Sequence, residues 1–106
     1  MKFDNGDAFT ALASQTGKFV VVDFWADWCG PCKAMSPVLD SLAEELDDEL
    51  VVVKIDVDQN PSLAGEFSVM SVPTVLVFDA SGPVMHQVGA FTKTRFLEKL
   101  DEVRNW

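Results

Sequence analysis

An apolar run that leads into two closely spaced cysteines decides the fold of this chain: residues 19–32 are FVVVDFWADWCGPC. Phe19–Ala26 is almost continuously apolar and contains three consecutive valines, which is typical of a strand buried on both faces, as in parallel sheets. Apolar residues then recur at helical spacing and predict a long helix: Met35, Val38, Leu39, Leu42, Ala43 and Leu46. Pro37 lies within that pattern and is expected to kink the helix.

Strand and helix patterns also alternate on either side of this unit. Before the buried strand, Phe9, Leu12 and Ala13 have helical spacing, and Gly17 is expected to end that helix. After the long helix, Leu50–Val57 returns to a strand pattern that is rich in Val and Ile.

The second half of the chain predicts a short helix and a pair of strands. Asn60-Pro61 opens the short helix, because proline is tolerated in a first turn. Val72–Phe78 and Val84–Val88 have strand character and are joined by the turn Ser81-Gly82-Pro83. Because Pro83 cannot donate to a sheet ladder, it should lie at a strand start or a sheet edge.

A last helix and a short first strand complete the pattern. Thr92 can cap the helix, and its apolar face consists of Phe96, Leu97, Leu100 and Val103. At the other end, only Lys2–Asp4 is available for a first strand. Together the elements predict an α/β fold, a sandwich in which helices cover both faces of a central mixed sheet.

Length and composition restrict the possible classes of protein. The 106 residues fit a single domain, residues 1–106, and their 48% apolar content argues against a disordered chain. The formal net charge of −9 makes binding to nucleic acid or to an anionic membrane surface unexpected. The longest uncharged stretch, Ala80–Thr92, is too short to span a membrane. Met1–Asp7 shows no basic region followed by an apolar run, so no secretory signal is expected.

Four interpretations compete for the two cysteines, which both lie in Cys29-Gly30-Pro31-Cys32. A structural disulfide would close a loop too short to add much stability. A zinc or iron–sulfur site needs about four ligands, whereas the chain offers only these cysteines and His86; Cu(I) held by two thiolates remains open. Inert thiols are a third alternative. The βαβ pattern around the motif favours the fourth, which is redox exchange.

The position of the motif at a helix start gives a physical reason for redox chemistry. A helix N-terminus presents unpaired N–H groups and a positive dipole end, which stabilise the thiolate that attacks disulfides. Cys29 lies before the first turn, so we expect it to be exposed and to attack. Cys32 lies one turn further, so we expect it to be more buried and to resolve the mixed disulfide. Pro31 stiffens the turn, and Gly30 lets a partner backbone approach.

A carboxylate inside the first buried strand is the second unusual feature. Asp23 is the only charged residue between Phe19 and Ala26, and burial there is unfavourable unless the group is protonated or paired. One interpretation is a solvated aspartate at a strand edge. The other is a proton donor or acceptor beneath the cysteines, whose desolvated carboxyl has a raised pKa and deprotonates Cys32. Lys54 is either its ionic partner or an edge lysine that reaches water.

The stretch Phe24–Lys33 (FWADWCGPCK) resembles the active-site motif of the thioredoxin family. Further matches follow in the order expected for that family: Val21-Val22-Asp23, Met35-Ser36-Pro37, Lys54–Pro61 (KIDVDQNP), Val69–Thr74 (VMSVPT) and Val88-Gly89-Ala90. The resemblance covers nearly the whole chain. It implies the thioredoxin fold, a three-layer α/β/α sandwich with strand order 1-3-2-4-5, an antiparallel last pair of strands and four flanking helices.

The resemblance also implies a role for individual residues. Cys29 would be the nucleophile, Cys32 the resolving thiol, Asp23 the buried acid and base, and Lys54 a residue that modulates Asp23. Pro73 would be in the cis form and would orient the substrate chain. An apolar docking surface would surround the sulfurs: Trp28, Gly30, Pro31, Val72, Pro73, Gly89 and Ala90.

The remaining residues of interest keep a simpler interpretation beside the functional one. Trp25 is expected to be at least partly a core residue, whereas Trp28 is expected on the exposed surface of the motif. Met70 either packs in its loop or contacts substrate. Trp106 is either a residue of the tail or helix end, or a partner contact.

The dipeptide Gly30-Pro31 resembles that of the reductants of the family, since the oxidases and isomerases more often carry a His before the second cysteine. The implied function is that of a cytoplasmic, monomeric protein-disulfide reductase that acts on disulfides of target proteins. It would bind no cofactor and would be re-reduced by a thioredoxin reductase, typically a flavoprotein that uses NADPH.

Three other functions compete with that of a reductase. A binding module would use the docking surface and not the redox chemistry. An oxidase or isomerase of an oxidising compartment is disfavoured by the Gly30-Pro31 dipeptide and by the missing secretory signal. A Cu(I) chaperone would require stoichiometric binding of the metal by Cys29 and Cys32.

Overall fold

Helices and strands follow one another as the sequence predicts in a computed structural model that describes residues 5–104. The helices are α1 (Asp7–Thr16), α2 (Gly30–Glu45), α3 (Pro61–Glu66) and α4 (Lys93–Arg104). The strands are β1 (Phe19–Trp25), β2 (Leu50–Asp56), β3 (Thr74–Asp79) and β4 (Gly82–Val88). The predicted first strand, Lys2–Asp4, and Trp106 lie outside the described residues.

The strands of residues 5–104 form one mixed sheet in the order β2-β1-β3-β4. Strand β1 lies parallel to β2 and antiparallel to β3, and β3 lies antiparallel to β4. This is the expected order without its first strand. The prediction of a central mixed sheet with an antiparallel last pair is therefore confirmed.

Alternate residues of β1 face two hydrophobic cores on opposite sides of the sheet. Val20, Val22 and Phe24 belong to one core, together with Phe9 of α1 and Leu63 of α3. The other core joins Val21 to residues of α2 and α4: Met35, Leu39, Leu42, Phe96 and Leu100. Because β1 is buried on both faces, it places any polar side chain of its own inside the protein, and this is the position of Asp23.

The ends of the helices follow the expected local chemistry. Gly17 ends α1 in the left-handed conformation with φ +70°, which glycine adopts without a steric penalty. Thr92 caps α4, because its Oγ1 accepts a hydrogen bond from the N–H of Arg95 at 3.1 Å. Pro37 lies inside α2, and the kink expected there stays a prediction.

Two prolines shape the last pair of strands. Strand β3 begins at Thr74 and not at Val72 as predicted, because Pro73 has no N–H to donate to the sheet. The peptide bond between Val72 and Pro73 is cis, as the family resemblance implies. Pro83 lies at the start of β4, opposite Phe78 and next to an irregularity in the register, so the expectation for this proline is confirmed.

Candidate active site

The two cysteines lie where β1 has ended and α2 begins, and they are joined by a disulfide bond. Cys29 is the N-cap of α2 in an extended conformation, and its Sγ accepts the N–H of Cys32 at 3.1 Å. Pro31 lies in the first turn of α2. N–H groups in a first turn have no partner within the helix, so proline loses no helical hydrogen bond there. The motif thus holds both sulfurs at the positive end of the helix, as its position in the sequence predicts.

Both cysteines are buried in the disulfide form, so the expected exposure of Cys29 was wrong. Cys29 is 4% exposed and Cys32 is 3% exposed. The two residues form a small cluster with Ala26, and Trp25, Val57 and Val72 pack against that cluster. Cys29 therefore differs little in exposure from Cys32 in this state.

Asp23 lies in the interior, and the interpretation as a solvated edge residue is excluded. It sits on β1, between β2 and β3 in the sheet, and is 1% exposed. Its Oδ1 atom has no hydrogen-bond partner within residues 5–104. The pKa of this carboxyl is raised from 3.8 to about 6, mainly by burial. The positive charge of Lys54 opposes this shift, and the negative charge of Asp40 adds to it.

A cavity of about 190 Å³ is lined by both Asp23 and Cys32. Its lining residues come from β1, β2 and α2: Asp23, Trp25, Ala26, Cys32, Lys33, Ser36 and Lys54. Trp25 is half-buried, and its indole Nε1 is a second buried polar atom without a partner in the described part of the chain. The space is large enough to hold water and contains polar groups without partners.

Lys54 is not in a direct ion pair with Asp23, although it lines the same cavity. Its Nζ lies 2.7 Å from Asp40 Oδ1 and 2.6 Å from Ser36 Oγ, both on α2. Lys54 is therefore not in contact with Asp23, whereas its exposed position on β2, the edge strand of the described sheet, agrees with the interpretation as an edge lysine. The ammonium acts on Asp23 through its charge and is bound elsewhere.

The residues expected to form a docking surface differ in exposure, and their role in docking stays a prediction. Trp28 is 71% exposed, so the expectation of an exposed Trp28 is confirmed. Gly30, Pro31 and Ala90 are also exposed, Val72 and Gly89 are half-buried, and Pro73 is buried. The carbonyl oxygen of Pro73 accepts the N–H of Gly89 at 2.9 Å, which links the loop before β3 to the residue after β4.

A smaller cavity of about 90 Å³ lies beside Trp28. It is lined by Trp28, Val57, Val69, Met70, Ser71 and Val72. Met70 is 94% exposed, which contradicts the interpretation as ordinary loop packing. The side chain instead borders this small cavity, and contact with substrate stays a prediction.

Three residues that contribute to the site had no assigned role at the sequence level. Asp58 accepts a hydrogen bond from the indole N–H of Trp28 at 3.0 Å. Ser36 and Asp40 bind Lys54, as described above. The spacing of Ser36 and Asp40 by one helical turn shows in the sequence that they share a helix face. It does not show that Lys54 is the cation they bind.

Within residues 5–104, no helix is long and apolar enough to cross a membrane. The same part of the chain brings together no group of three or more His, Cys, Asp and Glu side chains that could hold a metal ion.

Comparison with known proteins identifies the family. The thioredoxin family model matches residues 1–102. A thioredoxin of Mycolicibacterium smegmatis is 46% identical over 98 residues, which cover 91% of this chain and 88% of the relative. A thioredoxin of Staphylococcus haemolyticus is 50% identical over 82 residues, which cover 77% of this chain and 79% of the relative.

Another relative is longer, and one solved structure has the same fold. A bifunctional thioredoxin reductase/thioredoxin of Mycobacterium leprae is 47% identical over 96 residues, which cover 91% of this chain but 21% of that protein. The crystal structure of Fasciola hepatica thioredoxin superposes with a TM-score of 0.80 at 32% identity, over 93% of this chain and 94% of that one.

The chain belongs to the thioredoxin family. It has the thioredoxin fold. It is a thiol–disulfide oxidoreductase that acts by dithiol–disulfide exchange, with Cys29 and Cys32 as its redox-active pair.

Proposed function

We propose that this protein reduces disulfide bonds of target proteins in the cytoplasm, as a single-domain monomer that a separate reductase regenerates. The observation that carries the proposal is the position of the Cys29–Cys32 pair at the N-terminus of α2, with Cys32 on a cavity that Asp23 also lines. This arrangement supplies a stabilised thiolate and a nearby proton acceptor, which are the two requirements of a dithiol reductant.

In the first step, the Cys29 thiolate of the reduced protein attacks one sulfur of the substrate disulfide. A bond forms between Cys29 Sγ and that sulfur, the substrate disulfide breaks, and the second substrate sulfur leaves as a thiolate that takes a proton from solvent. Unpaired N–H groups of the first turn of α2 favour the attacking anion. The N–H of Cys32, which lies 3.1 Å from Cys29 Sγ, is one of these groups.

In the second step, Cys32 releases the substrate from the mixed disulfide. The thiol of Cys32 gives its proton to Asp23, and the resulting thiolate attacks Cys29 Sγ. The first substrate sulfur leaves as a thiolate and takes up a proton. The substrate has then gained two electrons and two protons, and this protein is left with the Cys29–Cys32 disulfide. With a pKa of about 6, Asp23 is mostly ionised at neutral pH and can accept the proton.

The substrate chain would dock on the apolar surface around the sulfurs. That surface consists of Trp28, Gly30, Pro31, Val72, Pro73, Gly89 and Ala90. The exposed ring of Trp28 supports this role, because large exposed apolar side chains mark interaction sites. The substrate chain would lie extended beside Pro73 and Gly89, and this would orient its disulfide toward Cys29.

Regeneration would come from a flavoprotein reductase that draws electrons from NADPH, so that this chain itself needs no cofactor. The relative named as a joined thioredoxin reductase and thioredoxin supports such a partner. The dipeptide Gly30-Pro31 supports the reducing direction, because no His lies between the cysteines to stabilise the thiolate further.

Insulin disulfides, with dithiothreitol as the electron donor, provide the test. Cys29→Ser should reduce catalysed turnover to background. Cys32→Ser should instead accumulate a mixed disulfide between Cys29 and an insulin chain, seen as one adduct by mass spectrometry. A Cys29→Ser variant that keeps full turnover would refute the proposal. The Cys29–Cys32 potential should lie below about −250 mV, as expected for a reductant.

A further inference from the structure

Lys54 and Asp23 are directly paired in the register of β2 with β1, but their charged groups are kept apart. Residues opposed in neighbouring strands project from the same face of a sheet, and both side chains line the 190 Å³ cavity. The ammonium nevertheless lies on the side of α2, 2.7 Å from Asp40 and 2.6 Å from Ser36. Asp23 Oδ1 has no hydrogen-bond partner in the described chain.

Ser36 and Asp40 are one helical turn apart on α2 and bind the same Nζ atom; we call this pair the Ser36–Asp40 anchor. Positions four residues apart share one face of a helix, so both oxygens can bind the same ammonium. The side chains of Lys54 and Asp40 are 34% and 66% exposed. Ion pairs this exposed add little to stability, so stability does not explain the arrangement.

We propose that Ser36 and Asp40 are positioning residues, which hold the Lys54 ammonium away from Asp23 so that Asp23 stays able to take the proton of Cys32. The inference rests on the proposed role of Asp23 in the second step of the reaction. Without the anchor, the flexible lysine would turn toward the buried carboxylate. A contact ion pair with Asp23 would then replace the proton acceptor by a carboxylate that resists protonation.

The charged groups around Asp23 come from two elements. Lys54 on β2 and Asp40 on α2 act on the carboxyl in opposite directions, and Lys33 on α2 also lines the cavity. From β3, the residue opposite Asp23 is Val75, which carries no charge. Asp40 is therefore the negative group that both repels Asp23 and restrains Lys54, and an experiment must separate these two effects.

A double-mutant cycle separates them, with the carboxyl carbon of Asp23 titrated by NMR in the intact oxidised protein. Asp40→Asn should move the Asp23 midpoint to lower pH by about one unit, because it removes a negative charge and frees Lys54. The same substitution in a Lys54→Gln background should have less than about half that effect, since only the direct repulsion remains. An equal shift in both backgrounds would overturn the anchor. Circular dichroism checks that each variant is folded.

Two further variants sharpen the result. Ser36→Ala removes one contact to Lys54 without changing charge, so it should also move the Asp23 midpoint to lower pH, by less than Asp40→Asn. Glu45→Gln is the matched control: it removes the same charge from α2 and breaks an ion pair with Lys93, away from the cavity. It should leave Asp23 unmoved. A Ser36→Ala midpoint equal to wild type would contradict the role of Ser36.

Insulin turnover between pH 5 and 8 tests the catalytic consequence independently. If the Asp40→Asn shift of the Asp23 midpoint depends on Lys54 and the acid limb of the turnover profile moves with it, anchor and acceptor are both supported. If the shift depends on Lys54 while the turnover profile stays fixed, the anchor stands and the proposed role of Asp23 fails. An unmoved midpoint refutes the anchor, whatever the turnover.

Discussion

The indole N–H of Trp28 donates a hydrogen bond to Oδ2 of Asp58, and the two atoms lie 3.0 Å apart. Because Trp28 is 71% exposed, packing does little to fix its ring. Asp58 is itself placed by a turn after β2, where its N–H donates to Asp56 Oδ1 at 2.9 Å. This hydrogen bond therefore orients the one aromatic side chain of the proposed docking surface.

Removing the bond should weaken docking and leave the fold intact. A hydrogen bond has a net value of about 0.5–1.5 kcal/mol, so Asp58→Ala should raise the KM for insulin disulfides by at most about tenfold, with kcat nearly unchanged. Steady-state turnover measures both constants. Asp27→Ala, which removes an exposed carboxylate next to Trp28, is the control. The same rise in KM in both variants would show that charge alone is responsible.

The burial of Asp23 should make its ionisation destabilising. Its pKa is raised from 3.8 to about 6 in the folded protein, so between these values the folded state binds more protons than the unfolded chain. Stability must then fall as pH rises through this window, by at most about 3 kcal/mol for this shift. Asp23→Asn removes the ionisation and should raise the free energy of unfolding at pH 7.5 by about 2–3 kcal/mol.

Urea denaturation of the oxidised protein measures this effect. The gain from Asp23→Asn should shrink as the pH falls from 6 toward 4, because the wild-type carboxyl becomes protonated in the folded state. Asp47→Asn, at an exposed position, should show no such dependence. A gain of equal size at pH 4 and pH 7.5 would mean that ionisation is not its cause.

Gly89 and Gly65 should respond in opposite ways to alanine. Gly89 has φ +90° and Gly65 lies in α3, and a Cβ atom would meet open space at both. Because clashes are absent, backbone strain decides: Gly89→Ala should lower the free energy of unfolding by about 1–2 kcal/mol. Gly65→Ala should raise it by up to about 1 kcal/mol. Thermal unfolding compares the two, and a change of the same sign in both would contradict the argument.

Truncating Leu39, which packs α2 against the core beneath the sheet, should lower the free energy of unfolding. It is fully buried in the core on the α2 side, so Leu39→Ala should lower the free energy of unfolding by about 2–5 kcal/mol. Glu44→Ala, at an exposed position of the same helix, should change it by less than about 0.5 kcal/mol. Urea denaturation tests both variants. A decrease in the free energy of unfolding below about 2 kcal/mol for Leu39→Ala would mean that neighbouring side chains fill the cavity.

Local patterns were sufficient for the elements that carry the site. The apolar run of β1 and the helical spacing in α2 are strong periodic signals, and both elements lie where they were predicted. The unfavourable position of Asp23 was also visible, because a lone carboxylate in such a run must be buried or at an edge. Thr92 and Gly17 marked helix ends through their own side-chain and backbone chemistry.

Other features depend on contacts between distant residues and were not accessible from the pattern. The ion pair of Lys54 with Asp40 joins β2 to α2 and depends on where the two elements meet. The cluster that contains Cys29 is partly covered by Val57 and Val72, which lie far along the chain. The later start of β3 follows from the sheet pairing that Pro73 cannot enter. The exposure of Met70 depends on a loop without periodicity.

The alternation of β1 between two cores has a consequence for how the chain tolerates change. Val20, Val22 and Phe24 fill one core while Val21 fills the other and Asp23 lines the cavity. Deleting one residue between Phe19 and Asp23 would turn every following side chain of the strand to the opposite face. The carboxylate would then enter a core of phenylalanines, and Phe24 would enter the cavity under the disulfide. A single-residue deletion inside this strand should therefore be much more damaging than a substitution at the same position.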